Sequence, residues 1–96
     1  MKNIYEVYEL RFVWRTFWFV AGRVLEEDIR VGQTLQPNLP NVAKPTFKIV
    51  ALETYGRALS EMSYGMSCQM IVQVSRSEED ELVKTLPTTF FLKAGT

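Results

Sequence analysis

Side chains able to move a proton near neutral pH, grip a metal or attack a carbonyl are scarce in this 96-residue chain. It has no His, which removes the commonest general base and the commonest metal ligand. Cys68 is its one thiol, so the chain forms neither an internal disulfide nor a thiolate metal cluster. It lies in Met66-Ser-Cys-Gln-Met70 on a predicted strand with no imidazole to draw off its proton, the setting of a buried structural thiol rather than a nucleophile. Glu26-Glu27-Asp28 is an acidic turn. Adjacent carboxylates on a turn point apart and lack the spacing of a calcium loop, so they read as solvated. Glu78 to Glu81 reads as helix-end electrostatics. No Gly-x-x-x-x-Gly-Lys-Ser/Thr phosphate loop occurs. The expectation is a protein that is not an enzyme and uses no cofactor, metal or nucleotide.

Binding chemistry is better supplied. Arg11, Trp14, Arg15, Trp18 and Arg23 mix guanidinium donors with aromatic faces, the combination that stacks bases and holds phosphates or anchors a protein partner. The same residues have a purely architectural reading. In it the tryptophans pack in the core or at a barrel end, and the arginines are solvated partners of Glu6, Glu9 and Glu26. Eleven Lys and Arg balance eleven Asp and Glu, so any pull on RNA comes from a local patch. Phe17, Trp18 and Phe19 are consecutive, and one barrel wall cannot point all three inward. A protein partner or a second copy of the chain is the expected cover. Met62, Met66 and Met70 are spaced by four along a predicted strand and read as core filler and edge contacts.

These side chains need a scaffold, and the length allows one core, so residues 1–96 are expected to form one domain. Hydrophobic residues make up 47% and charged residues 23%, a globular and not a disordered balance. The densest apolar run, Phe17 to Ala21, is too short to span a bilayer, and no signal peptide is recognisable. No membrane association and cytoplasmic residence are therefore expected.

From Ile4 to Trp14 the pattern predicts a strand with Ile4, Tyr8, Leu10, Phe12 and Trp14 on one face around Glu6. Tyr5, Val7, Glu9, Arg11, Val13 and Arg15 fall on a mixed, half-solvated face. Phe17 to Leu25 predicts a second strand, in which Gly22 removes a side chain so that the strand bends or a neighbour comes close. Strands are also expected from Gln33 to Gln36, Thr46 to Glu53 (buried largely on both faces), Met66 to Val74 and Thr88 to Lys93. Three prolines from Pro37 to Pro45 predict a surface loop. Tyr55-Gly56-Arg57 and Tyr64-Gly65 are turns flanking a short connection, Ala58 to Met62. Ser75 to Pro87 carries the one helix signal, with Ser caps, acidic first turns and a closing proline. Successive strands with hairpin-length connections predict an all-β fold, a small closed antiparallel, Greek-key-like barrel of about six strands with one short helix.

Val20-Ala-Gly-Arg-Val24 and Ile29-Arg-Val-Gly-Gln33 are followed by Phe47-Lys-Ile-Val-Ala-Leu-Glu53. Leu59-Ser-Glu-Met-Ser-Tyr-Gly65, Met70-Ile-Val-Gln-Val74 and Asp80-Glu-Leu82 complete the series. In order and spacing it resembles the β-barrel second domain of translational GTPases of the elongation factor Tu type, over roughly residues 10 to 95. The resemblance implies a translation-protein barrel that serves as a non-catalytic binding module, docking on protein or RNA; a self-associating structural subunit is the alternative. In that family the barrel helps hold the aminoacylated end of transfer RNA and touches the ribosome. Three departures stand out. The turn glycine is replaced by Glu27 or Asp28, so either a non-glycine residue bears a positive φ or the turn is rebuilt. Aromatics precede Val20 where the family has small residues. No GTPase domain accompanies the barrel in this sequence, so the resemblance does not extend to GTP hydrolysis.

Overall fold

The computed structural model describes residues 3–38, 46–75 and 89–94. Nine strands occur among them: β1 (Asn3–Trp14), β2 (Phe17–Val24), β3 (Ile29–Arg30), β4 (Thr34–Pro37), β5 (Phe47–Thr54), β6 (Arg57–Leu59), β7 (Glu61–Met62), β8 (Ser67–Gln73) and β9 (Phe90–Ala94). Every pairing is antiparallel. The order β4-β9-β1-β2-β8-β5 closes on itself through β4–β5, a ring of six strands, with β6 added beyond β5 and β3–β7 forming a separate small ribbon. Closure removes most sheet edges and gives the all-β, barrel-like architecture that the alternating pattern predicts. The helix expected over Ser75 to Pro87 lies almost wholly outside the described residues, as does most of the Pro37 to Pro45 loop.

The interior is built from every second residue of the ring. Trp18, Val20 and Val24 of β2 meet Cys68, Met70 and Val72 of β8, while Phe47, Ile49 and Leu52 of β5 and Leu92 of β9 fill the opposite wall. Among the described residues no charged or polar side chain is buried apart from the hydroxyl of Tyr5, which donates to the Cys68 carbonyl oxygen at 2.8 Å. Met62 and Met70 are core residues and Met66 is exposed.

Register shifts overturn the expected faces. β1 pairs Val7 with Gly22 and Glu9 with Ala21, so Tyr8 is an extra residue in a bulge. Tyr5 and Val7, expected on the mixed face, are therefore core, and Tyr8 turns outward. After the bulge the inward parity passes to Leu10, packed on the core. Among the described residues β9 pairs only with the Asn3 to Val7 part of β1, so Phe12 and Trp14 lie on a stretch of β1 bonded to β2 alone. A further register shift between them puts Trp14 opposite Phe17, and both are exposed. A similar shift between Ile49 and Ala51 sets the inward positions of β5 at 47, 49 and 52. That strand is buried on one face, not on both. The segment from Ala58 to Met62, read as a connection, adds β6 to the sheet and pairs β7 with β3.

Gly22 faces the bulge. A Cβ there would lie 1.9 Å from the Glu6 carbonyl oxygen and 2.8 Å from Cε1 of Tyr5. The glycine admits a close neighbour, as expected, and that neighbour is the backbone of β1 with the buried tyrosine ring on it.

Candidate functional site

The five candidate residues fall in three places. Arg11 and Trp14 lie on the last turn-ward stretch of β1, and Arg15 with Thr16 forms the two-residue link to β2, Trp14 pairing with Phe17 across it. Arg15 has φ 54°, a left-handed conformation that the short hairpin link imposes. Its guanidinium carbon lies 4.4 Å from the centre of the Trp14 ring. The Arg11 guanidinium sits 4.6 Å from the centre of the Phe19 ring on the adjacent strand and 3.8 Å from the Glu9 carboxylate. Each arginine thus covers an aromatic face that β-sheet geometry turns outward. Phe19, one of the residues expected to need an external cover, has one within the chain.

Trp18 goes elsewhere. It is 7% exposed and meets Phe12 edge to face, ring centres 5.5 Å apart. Its role is packing, and it offers no face for a base or peptide. Trp14, by contrast, is 58% exposed. Arg23 lies toward the other end of β2, opposite Glu6 on β1 and Ser67 on β8, away from the hairpin end. Arg11, Trp14 and Arg15 therefore gather at the hairpin end with exposed Phe12 and Val13, Phe12 on the face of Trp18 and Arg11 on the face of Phe19, while Trp18 itself is buried and Arg23 stands apart.

The acidic turn is rebuilt without a left-handed residue, since Arg15 and Tyr55 are the non-glycine positions of positive φ among the described residues. Asp28 accepts the backbone N–H of Tyr64 at 2.9 Å, tying the turn to the loop before β8. Its carboxylate is structural. Among the described residues no three His, Cys, Asp or Glu side chains gather as a metal site. Burial pushes the Cys68 thiol above its ordinary range, which disfavours the thiolate a nucleophile requires. Burial also raises the Tyr5 hydroxyl well above the usual tyrosine range, and the nearby Cys68 adds to it. Neither group is poised for proton transfer near neutrality.

A second surface was not visible in the sequence. An open groove of about 460 Å³ crosses the outer face of β2, β8 and β5, floored by Ala21, Gly22 and Gln69, with Tyr8 and Tyr55 among its walls and Glu53 its charged residue. The bulge that aims Tyr8 depends on strand pairing and no local pattern announces it, whereas the Tyr55-Gly56 turn is marked in the sequence and only the fold brings Tyr8 to the same groove.

No family model matches the chain, and no curated protein matches it either.

Proposed function

We propose that the chain is a non-catalytic binding module, a cytoplasmic barrel resembling the second domain of translation factors, and that it docks on a protein partner through the outer end of the β1–β2 hairpin. The observation that carries this reading is the run Phe12, Val13 and Trp14, each exposed at the end of β1 and flanked by Arg11 and Arg15. Tryptophan and arginine are the side chains that most often anchor protein interfaces, because a large ring and a planar cation gain most when water is removed from both. The interior supports a binding rather than a chemical role: it is apolar, with its hydroxyl satisfied and its thiol held protonated. Protein is favoured over RNA because both guanidinium faces already lie on rings of the chain and the net charge is zero.

A photo-crosslinking amino acid at position 14, compared with one at exposed position 64, tests the proposal in cells. A protein adduct at 14 that is absent at 64, and lost when Arg11 and Arg15 are changed to Glu, is the expected outcome. Equal labelling at both positions refutes it. Quenching of Trp14 by a short RNA strand that weakens as salt rises would move the reading to nucleic acid.

Self-association is the second reading, and one observation favours it. Among the described strands nothing pairs with the outer edge of β1 after Val7. Antiparallel pairing of two copies about a two-fold axis at Leu10 sets Glu9 of each opposite Arg11 of the other, whereas an axis at Arg11 opposes like charges. Light scattering during size-exclusion chromatography decides it: a monomer at 100 µM, about the working range of weak dimers, removes this reading.

A further inference from the structure

The groove over β2, β8 and β5 lies away from the hairpin end, and Tyr8, Glu53 and Tyr55 in its lining are exposed. Tyr55 occupies the first position of the two-residue Tyr55-Gly56 turn, with φ 50° followed by φ 75°, a geometry that favours Asn-Gly and strains a bulky aromatic. Its side chain is 92% exposed, and no hydrogen bond or ring contact with another described residue holds it. A residue that is both strained and unburied lowers stability, so its type calls for a reason outside folding. Tyr8 is the bulge residue, turned out of the barrel by the extra position in β1, and its hydroxyl donates to a Glu6 carboxylate oxygen at 3.0 Å. Between the tyrosines the floor is small, Ala21 and Gly22, with Gln69 on the next strand. Arg23 and Glu6, of opposite charge, are partners in the β1–β2 ladder near Tyr8, and Glu53 is the charged residue in the lining of the groove itself.

We propose that this groove binds a cationic side chain, an arginine presented by an extended peptide, with its guanidinium on the Glu53 carboxylate and its plane against Tyr55 and Tyr8. A planar cation suits the groove because it stacks on aromatic faces and bonds a carboxylate through two N–H groups at once. The volume of about 460 Å³ leaves room for the flanking peptide. The site is separate from the hairpin end, so either surface can fail its test without the other.

The probe is the peptide acetyl-Gly-Gly-Arg-Gly-Gly-amide, titrated into the full chain with backbone amide NMR shifts as the readout, beside the same peptide carrying citrulline, which keeps the shape and drops the charge. Saturable shifts centred on Tyr8, Glu53, Tyr55 and Gln69 are expected, with a dissociation constant on the order of 1 mM. Citrulline and the Glu53→Gln variant should each weaken binding about tenfold. Tyr55→Asn should weaken binding while raising the melting temperature by a few degrees, because Asn suits the left-handed position. A merely architectural Tyr55 would give no such opposition. Equal binding of the citrulline peptide, shifts centred on Glu26 to Asp28, no saturation, or unchanged binding in both variants would overturn the proposal.

Discussion

Replacing Gly22 with Ala adds one methyl group and should be among the most damaging single changes in the chain. The added Cβ would stand 1.9 Å from the Glu6 carbonyl oxygen and 2.9 Å from its carbon. A carbon resting on a carbonyl oxygen needs roughly 3.3 Å, so β1 and β2 must part locally by roughly 1.4 Å. Neither strand is free to yield. β2 is held by β8 along its whole length, and β1 is pinned by the bulge at Tyr8 and by β9 from Asn3 to Val7. The Tyr5 ring, 2.8 Å from the new carbon, would also shift, and with it the hydroxyl bond to Cys68. Overpacking of a core costs about 1–3 kcal/mol when side chains can adjust, and an obstacle made of backbone puts this case at or above the top of that range. The unfolded chain loses freedom on gaining a Cβ, which returns about 0.4–1 kcal/mol. The net loss is about 2–4 kcal/mol, or a fall in melting temperature on the order of 10–25 °C for a domain of this size.

Thermal and urea unfolding followed by circular dichroism measure it. Gly32→Ala is the control, since φ at Gly32 is 96° but a Cβ there meets nothing within 4 Å, so its cost is conformational alone, about 1–2 kcal/mol. If Gly22→Ala unfolds within about 1 kcal/mol of the parent, or is no worse than the control, the close approach of β1 and β2 is not what requires the glycine.

Three further outcomes follow from the packing. Because burial raises the Tyr5 hydroxyl above the unfolded value of 10.0, the folded state keeps that proton while the unfolded state releases it. The Tyr5 contribution to stability should be full below pH 10 and fall above it by up to about 1.4 kcal/mol per pH unit, a slope that Tyr5→Phe reduces in urea titrations at successive pH values. The Cys68 thiol, also raised, adds to the same decline, so some slope persists in that variant. Trp18→Ala should cost about 3–5 kcal/mol and Trp14→Ala under about 0.5 kcal/mol, and iodide should quench the fluorescence of Trp14 while sparing Trp18. Asp28→Ala should cost about 1 kcal/mol through the lost bond to the Tyr64 N–H, with faster amide exchange at Tyr64 as its signature.

Alternation along the chain determined the fold class and most strand positions, because burial on one face imposes a period of two that survives in the sequence. Val20, Val24, Met70 and Val72 can be placed inward from spacing alone. The role of Gly22 as a close-approach residue and the burial of Cys68 were legible for the same reason. The bulges were not. One inserted residue reverses parity with no change in composition, and only the partner strand reveals where the insertion falls, which is why Tyr5, Val7 and Tyr8 exchanged faces and β5 proved one-sided.

The candidate surface divided along the same line. Composition identified Arg11, Trp14 and Arg15 as a cationic and aromatic group but grouped Trp18 and Arg23 with them, since five residues near one another in sequence look alike until the ring closes. Strand pairing buried Trp18, left the last residues of β1 bonded to β2 alone among the described strands, and set Arg23 opposite Glu6 and Ser67. Tyr8 is remote in sequence from Glu53 and Tyr55, and no periodicity links it to them. Side-chain spacing is a local property that the sequence carries by itself, whereas which strands become neighbours depends on long-range pairing, and that is decided only when the sheet closes.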